Sequence, residues 1–274
     1  MTNIKPFEDL EFSDDFIFYK VMQDKDACKG IIERLLQIKI DHIEYPELQK
    51  TIQPYYTTKG VRLDVYVKDS DKVFNVEMQN RIFPELGKRA RYYQSMIDID
   101  SLLKGQDYSE LPESYVLFIC YQDPIGDGRP RYNFITLCKQ DRNLQLNDKI
   151  EKVFYNVKEY KKEEDPELKA FLNFVCTSDS TDSFTTELKT LVSRLKQAES
   201  NKTEYMSMNL HDQDIQREAR EKALKEGERI GEEKGALQKA IEDTKLVISK
   251  YNIPVQQACA DFGITPEMLS QSQK

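Results

Sequence analysis

Apolar and polar residues alternate through "GVRLDVYVKDSDKVFNVEMQN", residues 60–80. Val61, Leu63, Val65 and Val67 share one parity, and Phe74, Val76 and Met78 continue it beyond the polar turn "DSDK" at 69–72. A period of two predicts strands over 60–68 and 73–80 joined as a hairpin. A further strand is expected near 51–57. Upstream the period is helical. Ser13 is a good N-cap, two acids follow it, and Phe16, Tyr19 and Met22 recur at helical spacing. A second helix is expected over 27–38, with Ile31, Ile32, Leu35 and Leu36 as its buried stripe. Beyond the hairpin, Pro84 opens a helix with Leu86, Ala90, Tyr93 and Ile97 on one face and Gly105 as its stop. "ESYVLFICYQ" and "RYNFITLCKQ" read as strands, the first apolar enough to be buried on both faces. Residues 150–200 read as mostly helical with a break at "TSDSTDS" (177–183), and one long charged helix runs from about 212 to a short tail starting at 253.

This order predicts a mixed β-sheet flanked by helices, an α/β or α+β layered domain with a long C-terminal helical extension. A hydrophobic share of 39% over 274 residues supports one sizeable core plus an extension, or two small domains. Charged residues make up 32%, above the usual quarter or so, and are concentrated toward the C-terminus. A net charge of −8 excludes a globally basic nucleic-acid binder, so an anionic partner needs a local basic patch or a metal ion. Cys28, Cys120, Cys138, Cys176 and Cys259 are widely spaced without a C-x-x-C, which argues against a disulfide framework or a zinc site and for a reducing compartment. The opening residues lack an apolar signal region, and the longest apolar run, 115–121, is too short to span a bilayer. The expectation is a soluble cytoplasmic protein with no membrane partner. With only His42 and His211 present, chemistry is expected to rest on carboxylates.

A symmetric turn at 69–72 pairs Lys68 with Val73, which carries forward to Asp64 opposite Glu77 and Arg62 opposite Gln79. Facing strand residues have Cβ atoms about 5 Å apart, and like charges there repel. Spacing alone leaves two readings open. One is a solvated polar face balanced by Arg62 and Lys68. The other is a site for a divalent cation such as Mg²⁺, which takes oxygen ligands, keeps several waters and often uses only one or two carboxylates. Gln79, on the same side as Glu77, could orient water or contact a phosphate.

The string Asp64, twelve intervening residues, then Glu77-Met78-Gln79 resembles the active-site core of PD-(D/E)XK nucleases, with Gln79 where a lysine is usual. More specifically, the chain resembles the recombination-promoting nuclease/putative transposase family of that superfamily. "DDFIFYKVM", "GKRARYYQSMI" and "EGERIGEEKGALQKAIE" resemble its first helix, the helix after its catalytic hairpin and its glycine-punctuated C-terminal helix. The resemblance implies a restriction-endonuclease-like core and Mg²⁺-dependent cleavage of DNA phosphodiesters, with Mn²⁺ able to substitute. Asp64 and Glu77 would be the metal ligands, and Gln79 would stand in the lysine's place. Transition-state charge then loses its usual cation unless Lys68 or an arginine supplies one. Glu33 is the candidate for the family's first-helix acid. Arg62, Lys88, Arg89 and Arg91 are candidates for contacts with DNA phosphates, while Tyr92 and Tyr93 are expected to pack.

In the C-terminal helix Ala219, Ala223, Gly227, Gly231 and Gly235 recur every four residues as a ridge of small side chains. Three helical glycines cost roughly 3 kcal/mol relative to alanine, which close packing of another helix could offset. Glu228, Arg229, Glu232, Glu233 and Lys234 exclude a bilayer, so the helix over 213–249 is expected to mediate homo-oligomerisation. "IPVQQACADFGITPEML" (253–269) reads as a helix, a glycine turn, then Thr265 as N-cap with Pro266 at the first helical position. Without an arginine it suits a small helical cap better than a DNA reader. The expected division is a nuclease-like domain over 1–200, an oligomerisation helix over 201–252 and a tail over 253–274. Function divides between a metal-dependent DNA endonuclease tied to recombination or transposition and a catalytically decayed, oligomeric DNA- or protein-interaction module.

Overall fold

The structure, a computed structural model, describes residues 5–41, 43, 47–52, 61–69, 71–81 and 83–271, without the side chains of 210–220, 223 and 271. His42, residues 53–57 of one expected strand and Ser70 of the expected turn lie outside the described residues, as do the side chains of His211, Ala219 and Ala223. By Cα packing the chain forms two compact units, Met1–Tyr205 and Met206–Lys274.

In the first unit α1 spans Asp15–Met22, one residue later than Ser13 as N-cap implies, because Asp14 holds the extended capping conformation. The Asp24 carboxylate accepts the N–H groups of Asp26 and Ala27 at 3.1 and 3.0 Å, which starts α2 at Lys25 and carries it to Leu36. Its stripe is as expected, with Ile31, Ile32 and Leu35 buried and Leu36 partly so. Gly30 lies where α2 meets a helix over Ser183–Gln197. A Cβ on it would fall 2.3 Å from the Phe184 ring, so any other residue there requires that ring to move.

The sheet has six strands: β1 (Glu47–Ile52), β2 (Val61–Asp69), β3 (Lys72–Gln79), β4 (Glu113–Cys120), β5 (Arg131–Phe134) and β6 (Ile150–Asn156), in the order β1-β2-β3-β4-β6-β5. β1 and β2 are antiparallel, as are β2 and β3, whereas β3, β4 and β6 run parallel. Between β3 and β4 the chain crosses over through α3 (Leu86–Ser101), the connection that a parallel pair requires. The expected face of α3, Leu86, Ala90, Tyr93 and Ile97, is buried against the sheet. β6 corrects the helical reading of 150–200. It inserts between β4 and β5, and helices resume as α4 (Pro166–Thr177) and α5 (Ser183–Gln197), separated at the expected polar break.

Two cores sandwich the sheet. One joins Phe74, Val76 and Met78 of β3 and Tyr115, Leu117 and Ile119 of β4 to α1, α2, α4 and α5. The other joins Val73, Val116, Phe118 and Phe154 to α3. β4 feeds both, as its unbroken apolar run requires. Val61 and Leu63 correct the simple alternation. They belong to the α3 side with Tyr66, whereas Val65 and Val67 belong to the opposite core, so the phase of β2 changes around Asp64.

A single helix, α6, covers Glu199–Tyr251 and is followed by α7 (Val255–Asp261) and α8 (Pro266–Gln271). In the second unit Ile241, Cys259 and Ile264 form a small core with Ala240 and Leu269, and Gly263 turns the chain at φ +66. The described cysteines are all free. No described helix is long and apolar enough to cross a membrane.

Candidate active site

The β2–β3 ladder follows the register that the symmetric turn predicts, from Asp69 opposite Lys72 to Val65 opposite Val76. One step further stand Asp64 and Glu77, and there side chains take over from the ladder. The Asp64 N–H donates to Glu77 Oε1 at 3.0 Å, and the Met78 N–H donates to Asp64 Oδ2 at 3.3 Å. Each carboxylate thus reaches across to the other strand and satisfies a backbone donor where the strands part. The phase change in β2 falls at the same point.

This exchange draws two acids together in a dry place. Glu77 is fully buried, and Asp64 is partly buried. Burial first and the charge of Asp64 second push the Glu77 pKa up to about 8. Burial first and the charge of Asp15 second push Asp64 up to about 6. Both shifts have the sign of desolvation plus like-charge repulsion, so the site is short of positive charge.

Gln79 lies two residues beyond Glu77 on the same face of β3, buried and paired in register with Cys120. Arg89, in the first turn of α3, joins both residues. Its Nη1 donates to Gln79 Oε1 at 2.9 Å, its Nη2 to Glu77 Oε2 at 3.1 Å and its Nε to the Tyr93 hydroxyl at 2.7 Å. Asp64, Glu77, Gln79 and Arg89 therefore form one cluster. Arg62 is exposed, and its charge still lowers the Asp64 pKa. Lys88 and Arg91 are exposed on α3. Tyr93 is buried and Tyr92 is exposed.

Two expectations are displaced. Glu33 is not part of the cluster, because its Oε1 accepts the Ile40 N–H at 2.9 Å and closes the turn after α2. Lys68 lies toward the hairpin end of β2 and lines a cleft there with Lys72, Ser101 and Lys149. The acid that the sequence reading missed is Asp15, at the start of α1. It still touches solvent, yet surrounding protein atoms and the charge of Asp14 raise its pKa, and its charge raises that of Asp64. Asn80 ties it to the end of β3, donating from Nδ2 to the Ser13 carbonyl at 2.7 Å and to Asp15 Oδ1 at 3.4 Å. In the sequence Asp15 stood beside Asp14 and within the stretch resembling the family's first helix, but a helix N-terminus explains it equally well.

Among the described residues no group of three or more His, Cys, Asp or Glu side chains could hold a metal ion. The Asp64–Glu77 pair nevertheless suits a hard divalent cation. Its donors are carboxylate oxygens, their charge is under-compensated, and Mg²⁺ commonly takes one or two protein carboxylates with water.

A family model described as PD-(D/E)XK nuclease family transposase matches residues 7–233. Comparison with curated proteins and with solved structures gives no match.

Proposed function

The chain belongs to the PD-(D/E)XK nuclease family transposases, and from that premise we propose that it is a metal-dependent DNA endonuclease acting in recombination or transposition. The observation that supports this most is the Asp64–Glu77 pair, two carboxylates held together where burial and a neighbouring acid (Asp15 for Asp64, Asp64 for Glu77) keep both pKa values high. Asp64 and Glu77 would hold Mg²⁺, or Mn²⁺ in its place. A bound ion supplies Lewis acidity, making water nucleophilic near neutral pH and offsetting charge on the phosphate. The β2–β3 exchange fixes both carboxylates on strands, so the ligands are set before substrate arrives. Exposed Arg62, Lys88 and Arg91 would hold the DNA backbone, giving an affinity that falls with salt.

On this reading residues 1–200 carry the nuclease, 201–252 form an oligomerisation helix and 253–274 cap it. A Cβ built on Gly227, Gly231 or Gly235 would meet no atom within 4 Å, which leaves that ridge open to a second copy. Analytical ultracentrifugation tests this part. Gly231→Leu should shift the protein toward monomer, and an unchanged mass in both proteins counts against it.

The second reading, a decayed interaction module, draws on the oxygens of Glu77, both of which already accept from protein donors, Asp64 N–H and Arg89. Plasmid nicking in Mg²⁺ separates the two. The wild type should nick and Asp64→Ala should not; equal nicking by both preparations marks a contaminant and ends the enzymatic reading.

A further inference from the structure

Gln79 stands where the PD-(D/E)XK motif that the hairpin resembles usually has a lysine; it carries no charge, yet the site is not without a cation. Arg89 commits three of its five N–H donors, to Tyr93, Gln79 and Glu77. Among the described residues no bond takes the second N–H of either terminal nitrogen. The side chain is 33% exposed, so these two donors can meet a ligand. Its charge is also fixed in place by aromatic rings, with the guanidinium carbon 5.0 Å from the centre of Tyr93, 5.7 Å from Phe118 and 5.9 Å from Phe83. A guanidinium held by three hydrogen bonds and three rings, between a helix and a strand, needs little reorganisation when substrate binds.

We propose that Arg89 is the catalytic cation of this active site and that Gln79 is the positioning residue that aims it; the proposal rests on the nuclease reading above. A lysine at 79 would set a second positive charge against Nη1, whereas the Gln79 carbonyl oxygen accepts from it at 2.9 Å. Glutamine is thus the complement of an arginine supplied by the neighbouring helix rather than a mark of decay. In hydrolysis the oxygen of water bonds to phosphorus, the bond from phosphorus to the leaving oxygen breaks, and protons from that water end on solvent and on the leaving oxygen. Arg89 gives up no proton in this step and acts through charge and hydrogen bonds alone. Its two remaining N–H groups donate to non-bridging phosphate oxygens as their charge grows.

The rival role for Arg89 is to neutralise Glu77, a contact that sets metal affinity and leaves the chemical step alone. Single-turnover nicking by the full chain, titrated with Mg²⁺, distinguishes the two. Arg89→Ala should lose about 10²–10³-fold in rate at saturating Mg²⁺, the size of effect seen when one transition-state donor is removed. Arg89→Ala/Gln79→Lys should recover at least about tenfold of that loss by returning a cation from β3. Full rate at saturating Mg²⁺ with only the half-saturating concentration raised overturns the proposal, as does a wild-type rate throughout. If melting shows that Arg89→Ala does not fold, Arg89→Lys takes its place, with a loss of about tenfold or more at saturation expected and a wild-type rate overturning the idea. Asp64→Ala separates the layers: an inactive Asp64→Ala beside a fully active Arg89→Ala sinks Arg89 and leaves the nuclease intact. Should the wild type itself show no Asp64-dependent nicking, binding of a short fluorescent duplex in Ca²⁺ decides the contact. Arg89→Ala should then lower the salt slope by about one, and an unchanged slope overturns it.

Discussion

The two faces of β3 are built from alternate residues of one short strand and have opposite characters. Toward α1 and α2 it presents Phe74, Val76 and Met78, which merge into an unbroken apolar core with β4. Toward α3 it presents Val73 and then Asn75, Glu77 and Gln79, all buried and all polar. The first face holds the fold together. The second gives up apolar contact along a row that could have carried it and keeps a carboxylate at a raised pKa. Burial of this kind costs stability, and on the function proposed above a bound cation would offset it.

The largest effect that tests this contrast is on the apolar face. Phe74→Ala should destabilise the protein by about 3–5 kcal/mol, read from denaturant unfolding, because Phe74 is fully buried and stacks on Tyr115 at 5.3 Å. A loss under about 1 kcal/mol would show that this face is not the support described. The polar face should respond with the other sign. The Asp64 pKa, raised from 3.8 to about 6, favours the protonated acid in the folded chain. Its contribution to stability is complete below the unfolded pKa and is lost as pH rises through about 6, and that of Glu77 is lost through about 8. Metal-free wild type should therefore melt lower at pH 8.5 than at pH 5 on account of these groups. Asp64→Asn should raise the melting temperature at the alkaline end, with a gain of up to about 3 kcal/mol. A destabilised Asp64→Asn at that pH would contradict the account of the site.

A smaller shift is expected from metal. Mg²⁺ in hundredfold excess over its dissociation constant should stabilise the wild type by about 2.7 kcal/mol and leave Asp64→Asn nearly unchanged. Half-saturating Mg²⁺ should fall as pH rises from about 6 to 8, since ligation needs ionised carboxylates. Thermal shift measured across pH reads both effects, and an identical shift in the variant would place the ion elsewhere.

How far the sequence revealed this site follows from the range of each interaction. The hairpin register was legible because period-two alternation and a symmetric turn are local; they placed Asp64 opposite Glu77, but not the end of the ladder at Val65 and Val76, short of the expected Arg62–Gln79 pair. The buried face of α3 was legible for the same reason, in the helical period. β6 was not, because its partner β4 lies a long crossover away and "IEKVFYN" carries charges at its start. Asp15 was hidden behind an adequate local explanation as a helix-start acid. Arg89 was named only as one of several phosphate candidates. What separates it from Lys88 and Arg91 is the rotation of α3 against Gln79, and no spacing along the chain reports that.

Asp64, Glu77, Gln79 and Arg89 all come from one uninterrupted stretch, β2 through the opening turn of α3. The groups that would meet a substrate are therefore inherited as a cassette.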